Sequence, residues 1–231
     1  MTLQASYTPI ADHALLVAFA TEVNDQAHAM IVELDRALAA DPPYGMIEAV
    51  PALVNILISF DPEQTDHRRL EGHLRALVPT LTPQATAGAL RTVQVCYEPP
   101  VSPDLEAVSQ AVGLDKETMI NAHLTGQYTV MMYGFSPGYA YLSGVADAIQ
   151  VPRKPAPVRD VPAGSVIIAG AQCLVTTLTM PTGWSIIGRS PTRILTQDAQ
   201  RPFLFDVRDR VRFERISLST FERLSREAAD V

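Results

Sequence analysis

The sequence predicts an α+β protein in two parts, a small α/β domain over residues 1–82 followed by a β-rich barrel or sandwich over residues 83–231. Three observations carry this expectation. Apolar runs of strand length alternate with helical spacing through the first part. Pro79 to Gly88 (PTLTPQATAG) then breaks the pattern with turn-forming residues and no periodicity. From Gln127 onward the chain consists of short alternating or β-branched runs punctuated by Gly and Pro.

Taken in order, Ala14 to Phe19 is an apolar run of strand length, and Asn24 is placed to cap a helix whose apolar stripe is Ala27, Ile31, Leu34 and Leu38. After Pro42-Pro43, Ala52 to Phe60 alternates as a strand with one wholly apolar face, and Leu70, Leu74 and Leu77 mark a second helix. The expected order is therefore β-α-β-α, with both helices on one face of a sheet. The second part begins with a strand at Arg91 to Tyr97. Ser102-Pro103-Asp104-Leu105-Glu106 reads as a helix start capped by Ser102, and Gly113 reads as its end. A second short helix follows over about Asp115 to Leu124. The runs YTVMMY, GSVIIAG, CLVTTLT, WSIIGRS, FLFDV and RVRFERI are expected strands, and Leu218 to Ala229 is a closing helix.

Composition removes several functions. The net charge of -7 argues against nucleic acid as a partner, and the helix-turn-helix outline at Leu105 to Leu124 has a mixed acidic surface unsuited to DNA. Cations are 16 Arg and 2 Lys, Lys116 and Lys154, so planar guanidinium recognition is favoured over a lysine nucleophile. Cys96 and Cys173 stand far apart, which encodes neither a disulfide framework nor a thiolate zinc site and fits a reducing cytoplasm. The opening MTLQASYTPIADH has no export-signal pattern, and no run of about 18 apolar residues predicts a membrane span. Arg208, Arg210, Arg212 and Arg215 alternate with apolar and acidic residues, as on a solvated strand face. Phosphate-loop, dinucleotide-loop, zinc-helix and serine-elbow motifs are all missing, and the five histidines are scattered singly. An enzyme built on this chain is expected to need a partner.

The richest segment is residues 134 to 191: GFSPGYAYLSG, VPRKPAPVRDVPAGSVIIAG and PTGWSIIGRSP. Stiff prolines, permissive glycines and a few large side chains suit a preorganised ligand surface, and equally suit tight barrel corners. Arg153 and Arg189, in Pro/Gly contexts, are candidates to hold a carboxylate or phosphate bidentately, or to pin loops as ion pairs. Phe135, Tyr141 and Trp184 are candidates to wall a small-molecule pocket, or for core packing. His123, the lone histidine of the second part, is a candidate general acid or base, or a structural helix-end residue. Ser165 reads as a turn hydroxyl, and both cysteines as buried and unactivated.

The ordered blocks Gly134-Phe135, Pro137-Gly138, Tyr141-Leu142, Pro152-Arg153, Val161-Pro162-Ala163-Gly164-Ser165, Ile168-Ala169-Gly170, Gly183-Trp184 and Ile187-Gly188-Arg189 resemble the family of the 5-oxoprolinase PxpB component, KipI and allophanate hydrolase subunit 1, the carboxyltransferase subdomains C and D. That resemblance implies a cyclophilin-like β-barrel for the second part. It further implies a larger KipA/PxpC-type partner subunit, a third LamB/YcsF (PxpA-type) component, and ATP-driven opening of a small cyclic amide, 5-oxoproline, to glutamate, with ATP bound mainly by the partner. The KipI branch implies instead a module that inhibits a sensor histidine kinase. The chain departs from the family pattern at Val158, Cys173 to Thr177 and Thr182, which opens the door to another amide substrate.

Overall fold

A computed structural model describes residues 4–83 and 88–229; residues 84–87, inside the expected linker, lie outside the described residues. By contacts the chain divides into two compact units, residues 1–86 and 87–231.

The first unit runs β1 (Ser6–Ile10), β2 (Ala14–Ala18), α1 (Asp25–Ala40), β3 (Met46–Ala52), β4 (Asn55–Phe60), α2 (His67–Leu77). Its strands form an antiparallel sheet in the order β1-β2-β4-β3. The order is thus β-β-α-β-β-α, which corrects the expected β-α-β-α. The two strands absent from that expectation are the sheet edges. Each carries a proline, Pro9 or Pro51, and little buried surface, so neither shows the apolar alternation of a half-buried strand. The run read as one strand from Ala52 is the end of β3, a reversal at Leu53 with φ +41°, and β4.

Asn24 caps α1 as expected, its side chain accepting from the Ala27 amide at 2.8 Å, an interaction worth about 1 kcal/mol. Ala27, Ile31, Leu34 and Leu38 are buried against Leu15, Val17, Ile56, Ile58 and Phe60, and Leu70 and Leu74 of α2 join the same cluster. One sheet face therefore supplies the core of this unit.

The second unit runs β5 (Leu90–Val95), α3 (Leu105–Val112), α4 (Lys116–Leu124), β6 (Tyr128–Tyr133), β7 (Ala140–Ser143), β8 (Val158–Val161), β9 (Ser165–Ala169), β10 (Gln172–Val175), β11 (Met180–Thr182), β12 (Ser185–Arg189), β13 (Arg210–Arg215), α5 (Leu218–Ala229). Seven strands form one sheet in the order β12-β9-β10-β7-β6-β13-β5, antiparallel except for the parallel pair β13–β5. Its two ends meet where Cys96 and Arg189 exchange backbone hydrogen bonds of 2.8 and 2.9 Å, so the sheet is a nearly closed barrel. Closure at this bridge fixes the end of β12, and with it Arg189.

Inside the barrel lie Val93, Val95, Tyr128, Val130, Leu142, Val166, Ile168, Cys173, Ile187, Val211 and Phe213. The alternate residues Ile167, Ala169, Leu174 and Ile186 form a second cluster with Tyr139, Trp184 and Val161, the last from the two-stranded β8–β11 sheet. Strand β9 is buried throughout because it is covered on both faces. The arginine-rich strand β13 alternates as expected, with Val211 and Phe213 buried and Arg210, Arg212 and Arg215 exposed.

Two expectations of detail are corrected. Ser102 does not cap α3, which begins at Leu105; its hydroxyl donates instead to the Tyr97 carbonyl at 2.7 Å. The FLFDV run is not a strand: Phe203 makes an isolated bridge to Leu195, and Phe205 enters the core. No helix among the described residues is long and apolar enough to cross a membrane.

Candidate functional site

The barrel-closing end of β12 borders a cleft of ≈ 380 Å³. One wall is the turn Val161-Pro162-Ala163-Gly164-Ser165, held by hydrogen bonds to Thr176 and Ser190. The Gly164 amide donates to the Thr176 carbonyl (2.7 Å) and the Ser190 amide donates to Gly164 (2.8 Å). Thr176 Oγ1 donates to the Pro162 carbonyl (2.9 Å) and accepts from the Ser165 amide (2.9 Å). Gly164 sits at φ +81°, where a Cβ would lie 2.4 Å from the Ser190 carbonyl oxygen, so only glycine fits. Ser165 is a turn hydroxyl, as expected, donating to Pro162 at 2.7 Å.

Arg189 lies along this wall. Its Nε donates to the Ala163 carbonyl at 3.1 Å and its guanidinium carbon lies 5.7 Å from the centre of the Phe221 ring of α5. Among the described residues no carboxylate lies within ion-pair distance of it, and burial pushes its pKa down. The terminal nitrogens are therefore charged donors with no acceptor among the described residues. Arg193, exposed and likewise outside every ion pair among the described residues, lines the same cleft with Ser190, Thr192, Ile194, Leu195 and Ser225. Among the described residues no Asp or Glu lines it.

Four of the other candidates come together on the barrel's outer cluster. The rings of Phe135 and Tyr139 are 5.4 Å apart, Tyr139 and Tyr141 5.9 Å, and Tyr141 and Trp184 6.0 Å, while the Arg153 guanidinium stands 5.6 Å from the Trp184 ring. Trp184 is buried, Tyr141 half-buried, and Arg153 exposed. Phe135 is 74% exposed at φ +72°, an unfavourable backbone for an aromatic residue. The neighbouring Lys154 anchors this end: its amide donates to Gly183 at 2.6 Å, and its ammonium shares the Asp104 carboxylate with the Ile186 amide.

The aromatic series and the cleft meet at one loop. Thr177, which lines the cleft, donates to the Pro137 carbonyl at 2.8 Å, and a Cβ on Gly138 would lie 2.7 Å from Leu195 Cδ2. The structure thus brings Phe135, Tyr141, Arg153 and Trp184 into one series and sets Arg189 in an adjoining cleft.

His123 lies in neither. It is fully buried at the end of α4, with Nδ1 2.8 Å from Tyr97 Oη and Nε2 3.5 Å from Cys173 Sγ, and its ring packs on Phe213 and Tyr128. The Tyr128 hydroxyl donates to the His123 carbonyl at 3.0 Å. Desolvation holds the imidazole pKa down to about 3 and pushes the Cys173 thiol and the Tyr97 hydroxyl up, so all three groups are neutral near pH 7. Of the two readings of His123, general acid or base and structural residue, the geometry favours the structural one: fully buried, it has no water-accessible face through which to exchange a proton with a substrate.

Sequence reasoning did not single out Ser190, Thr192 or Arg193, although they directly follow Arg189 in the chain. It also did not pair His123 with Cys173, which lies 50 residues away. Both cysteines are free and buried, as expected. Among the described residues no group of three or more His, Cys, Asp or Glu could hold a metal.

Residues 5–205 match the family model described as carboxyltransferase domain, subdomain C and D. The 5-oxoprolinase B component of Bacillus subtilis is 29% identical over 99% of this chain and 100% of its own length. The crystal structure of TTHA0988 superposes with a TM-score of 0.79 and 30% identity over 89% of this chain. The chain spans only 40% of the length of that protein. The Kluyveromyces lactis urea amidolyase, at 14% identity, shares the fold over 97% of this chain and 15% of its own, with a TM-score of 0.81.

Proposed function

The chain belongs to the carboxyltransferase subdomain C and D family, that of the 5-oxoprolinase B components, and from this premise we propose that it is one subunit of an ATP-dependent 5-oxoprolinase that opens 5-oxo-L-proline to L-glutamate. The observation that carries the reading is the Arg189 guanidinium, without an ion-pair partner among the described residues, in a cleft that none of the described Asp or Glu residues lines, in a chain matched over 99% of its length by a 5-oxoprolinase B component. 5-Oxoproline is a small cyclic amide with one carboxylate, and a fixed guanidinium fork suits that group.

In this reading Arg189 binds and orients the substrate carboxylate, and the Gly164 turn holds Arg189 in place. Among the described residues the chain brings a binding surface and no water-accessible acid or base beside Arg189. The proton transfers and the nucleotide therefore belong to a larger KipA/PxpC-type subunit, with a LamB/YcsF-type third component completing the enzyme in the cytoplasm. Phe135, Tyr141, Trp184 and Arg153 present the adjoining aromatic surface, either to the substrate ring or to the larger subunit. ATP supplies the driving force when it is bound by the complex.

The test is ATP hydrolysis by the chain mixed with its two partner proteins, with and without 5-oxoproline. The proposal requires turnover that depends on 5-oxoproline and on this chain. A stable complex with no such turnover would refute it. A related cyclic amide as the true substrate is a second reading, motivated by the departures from the family pattern at Val158, Cys173 to Thr177 and Thr182; of these, Thr176 is spent on clamping the cleft wall.

A further inference from the structure

The hydroxyls around Arg189 differ in what they have left to give. Thr176 and Thr177 donate their protons to the carbonyls of Pro162 and Pro137. Ser190, 95% buried, only accepts, its Oγ receiving the Thr192 amide at 3.0 Å, and Thr192 Oγ1 in turn receives the Gln94 amide at 3.2 Å. With one lone pair committed in each case, the remaining capacity includes a hydroxyl proton for which the described residues provide no acceptor. Arg189 has spent only Nε, and Arg193 has spent nothing among the described residues. Among the described residues the cleft therefore concentrates unspent donors and presents no carboxylate.

We propose that Arg189, Ser190, Thr192 and Arg193 form a donor-only site that takes an anionic group, a carboxylate or a phosphoryl group, and discriminates against the neutral analogue that lacks it. This deepens the functional reading above and rests on it only for the identity of the ligand. The residues are consecutive apart from Pro191, whose fixed φ stiffens the backbone between the first pair and the second. The backbone bridge from Arg189 to Cys96 and the Thr192 contact to Gln94 of β5 tie the segment at two points to β5 and the residue that follows it, so its backbone is held before a ligand arrives. A neutral amide would leave these donors facing no charge. A carboxylate or phosphoryl group engages two guanidinium groups and two hydroxyls by charge-assisted hydrogen bonds.

Calorimetric titration of the full chain, alone and in complex with its partner subunits, tests this with four probes: 5-oxoproline, its uncharged analogue 2-pyrrolidinone, inorganic phosphate and ATP. 5-Oxoproline is expected to bind at least about a hundred-fold more tightly than 2-pyrrolidinone, and Arg193→Gln and Ser190→Ala are each expected to weaken it about ten-fold. Arg193→Gln alters an exposed side chain and keeps the test independent of folding. If phosphate or ATP binds with the same sensitivity while 5-oxoproline does not, the site stands and its ligand is a phosphoryl group. Equal binding of 2-pyrrolidinone and 5-oxoproline, or no effect of either substitution on any anion, overturns the proposal. The two readings fail separately. 5-Oxoproline-dependent turnover with an unchanged KM for both 5-oxoproline and ATP in Arg193→Gln would sink the site alone, whereas anion binding without turnover in the complex would sink the enzyme assignment alone.

Discussion

The His123 network and the Arg189 cleft are two polar clusters in the same barrel, and they have opposite hydrogen-bond balances. Around His123, imidazole, phenol and thiol contact one another in a sealed core, and desolvation keeps each neutral. Around Arg189 a permanent cation, a second arginine and two hydroxyls keep donors that no acceptor among the described residues uses. A buried histidine beside a cysteine looks more like catalysis than an arginine at a strand end does. Yet unspent capacity facing a cleft marks a binding site better than the residue type does.

Substitutions at the two clusters should separate them. The largest effect is expected from Arg189→Ala, about a hundred-fold lower kcat/KM for 5-oxoproline in the assembled enzyme, with thermal stability changed by about 1 kcal/mol or less. Gly164→Ala should destabilise by about 3 kcal/mol in denaturant unfolding, because the added Cβ meets the Ser190 carbonyl and the backbone is left-handed.

The His123 cluster should announce itself through pH. Its imidazole is held to about 3 in the fold against an ordinary value of 6.5, so the unfolded chain binds the extra proton between those values. Stability from this group is complete above pH 6.5 and falls as pH drops, by about 2 kcal/mol at pH 5. The difference in unfolding free energy between wild type and His123→Gln, followed from pH 8 to 5, should narrow by about that amount. The smallest effect is expected at Phe135. Its exposure and positive φ mean that Phe135→Ala should leave stability within about 0.5 kcal/mol, and weaker association with the larger partner, measured by light scattering, would assign the aromatic series to docking.

Much of this arrangement was legible from the residues. Asn24 and Gly113 mark helix ends by their local chemistry, and the β-branched runs of β6, β9, β10, β12 and β13 announce themselves because both sheet faces or one full face are buried. The edge strands β1 and β3 were not legible, since their surfaces are mostly exposed and leave no apolar period. Phe203 to Val207 misled in the other direction: its apolar residues pack as a loop, with the Phe205 carbonyl accepting from Tyr133 Oη at 2.6 Å. At the site, Arg189 stood out from its Gly and Ser-Pro neighbours. Ser190 and Thr192 did not, because whether a hydroxyl has spent its proton depends on β5 and the tight turn, contacts 98 residues away in one case. His123 was ambiguous for the same reason, its partners Tyr97 and Cys173 being brought to it only by barrel closure.

The most direct measurement is 5-oxoproline-dependent ATP hydrolysis by the reconstituted complex, comparing Arg189→Ala with His123→Gln at pH 7.5, both confirmed to assemble. Arg189→Ala is predicted to lose the 5-oxoproline dependence while His123→Gln retains it within about three-fold. Loss in His123→Gln with full dependence kept in Arg189→Ala would contradict the assignment of the binding site to Arg189.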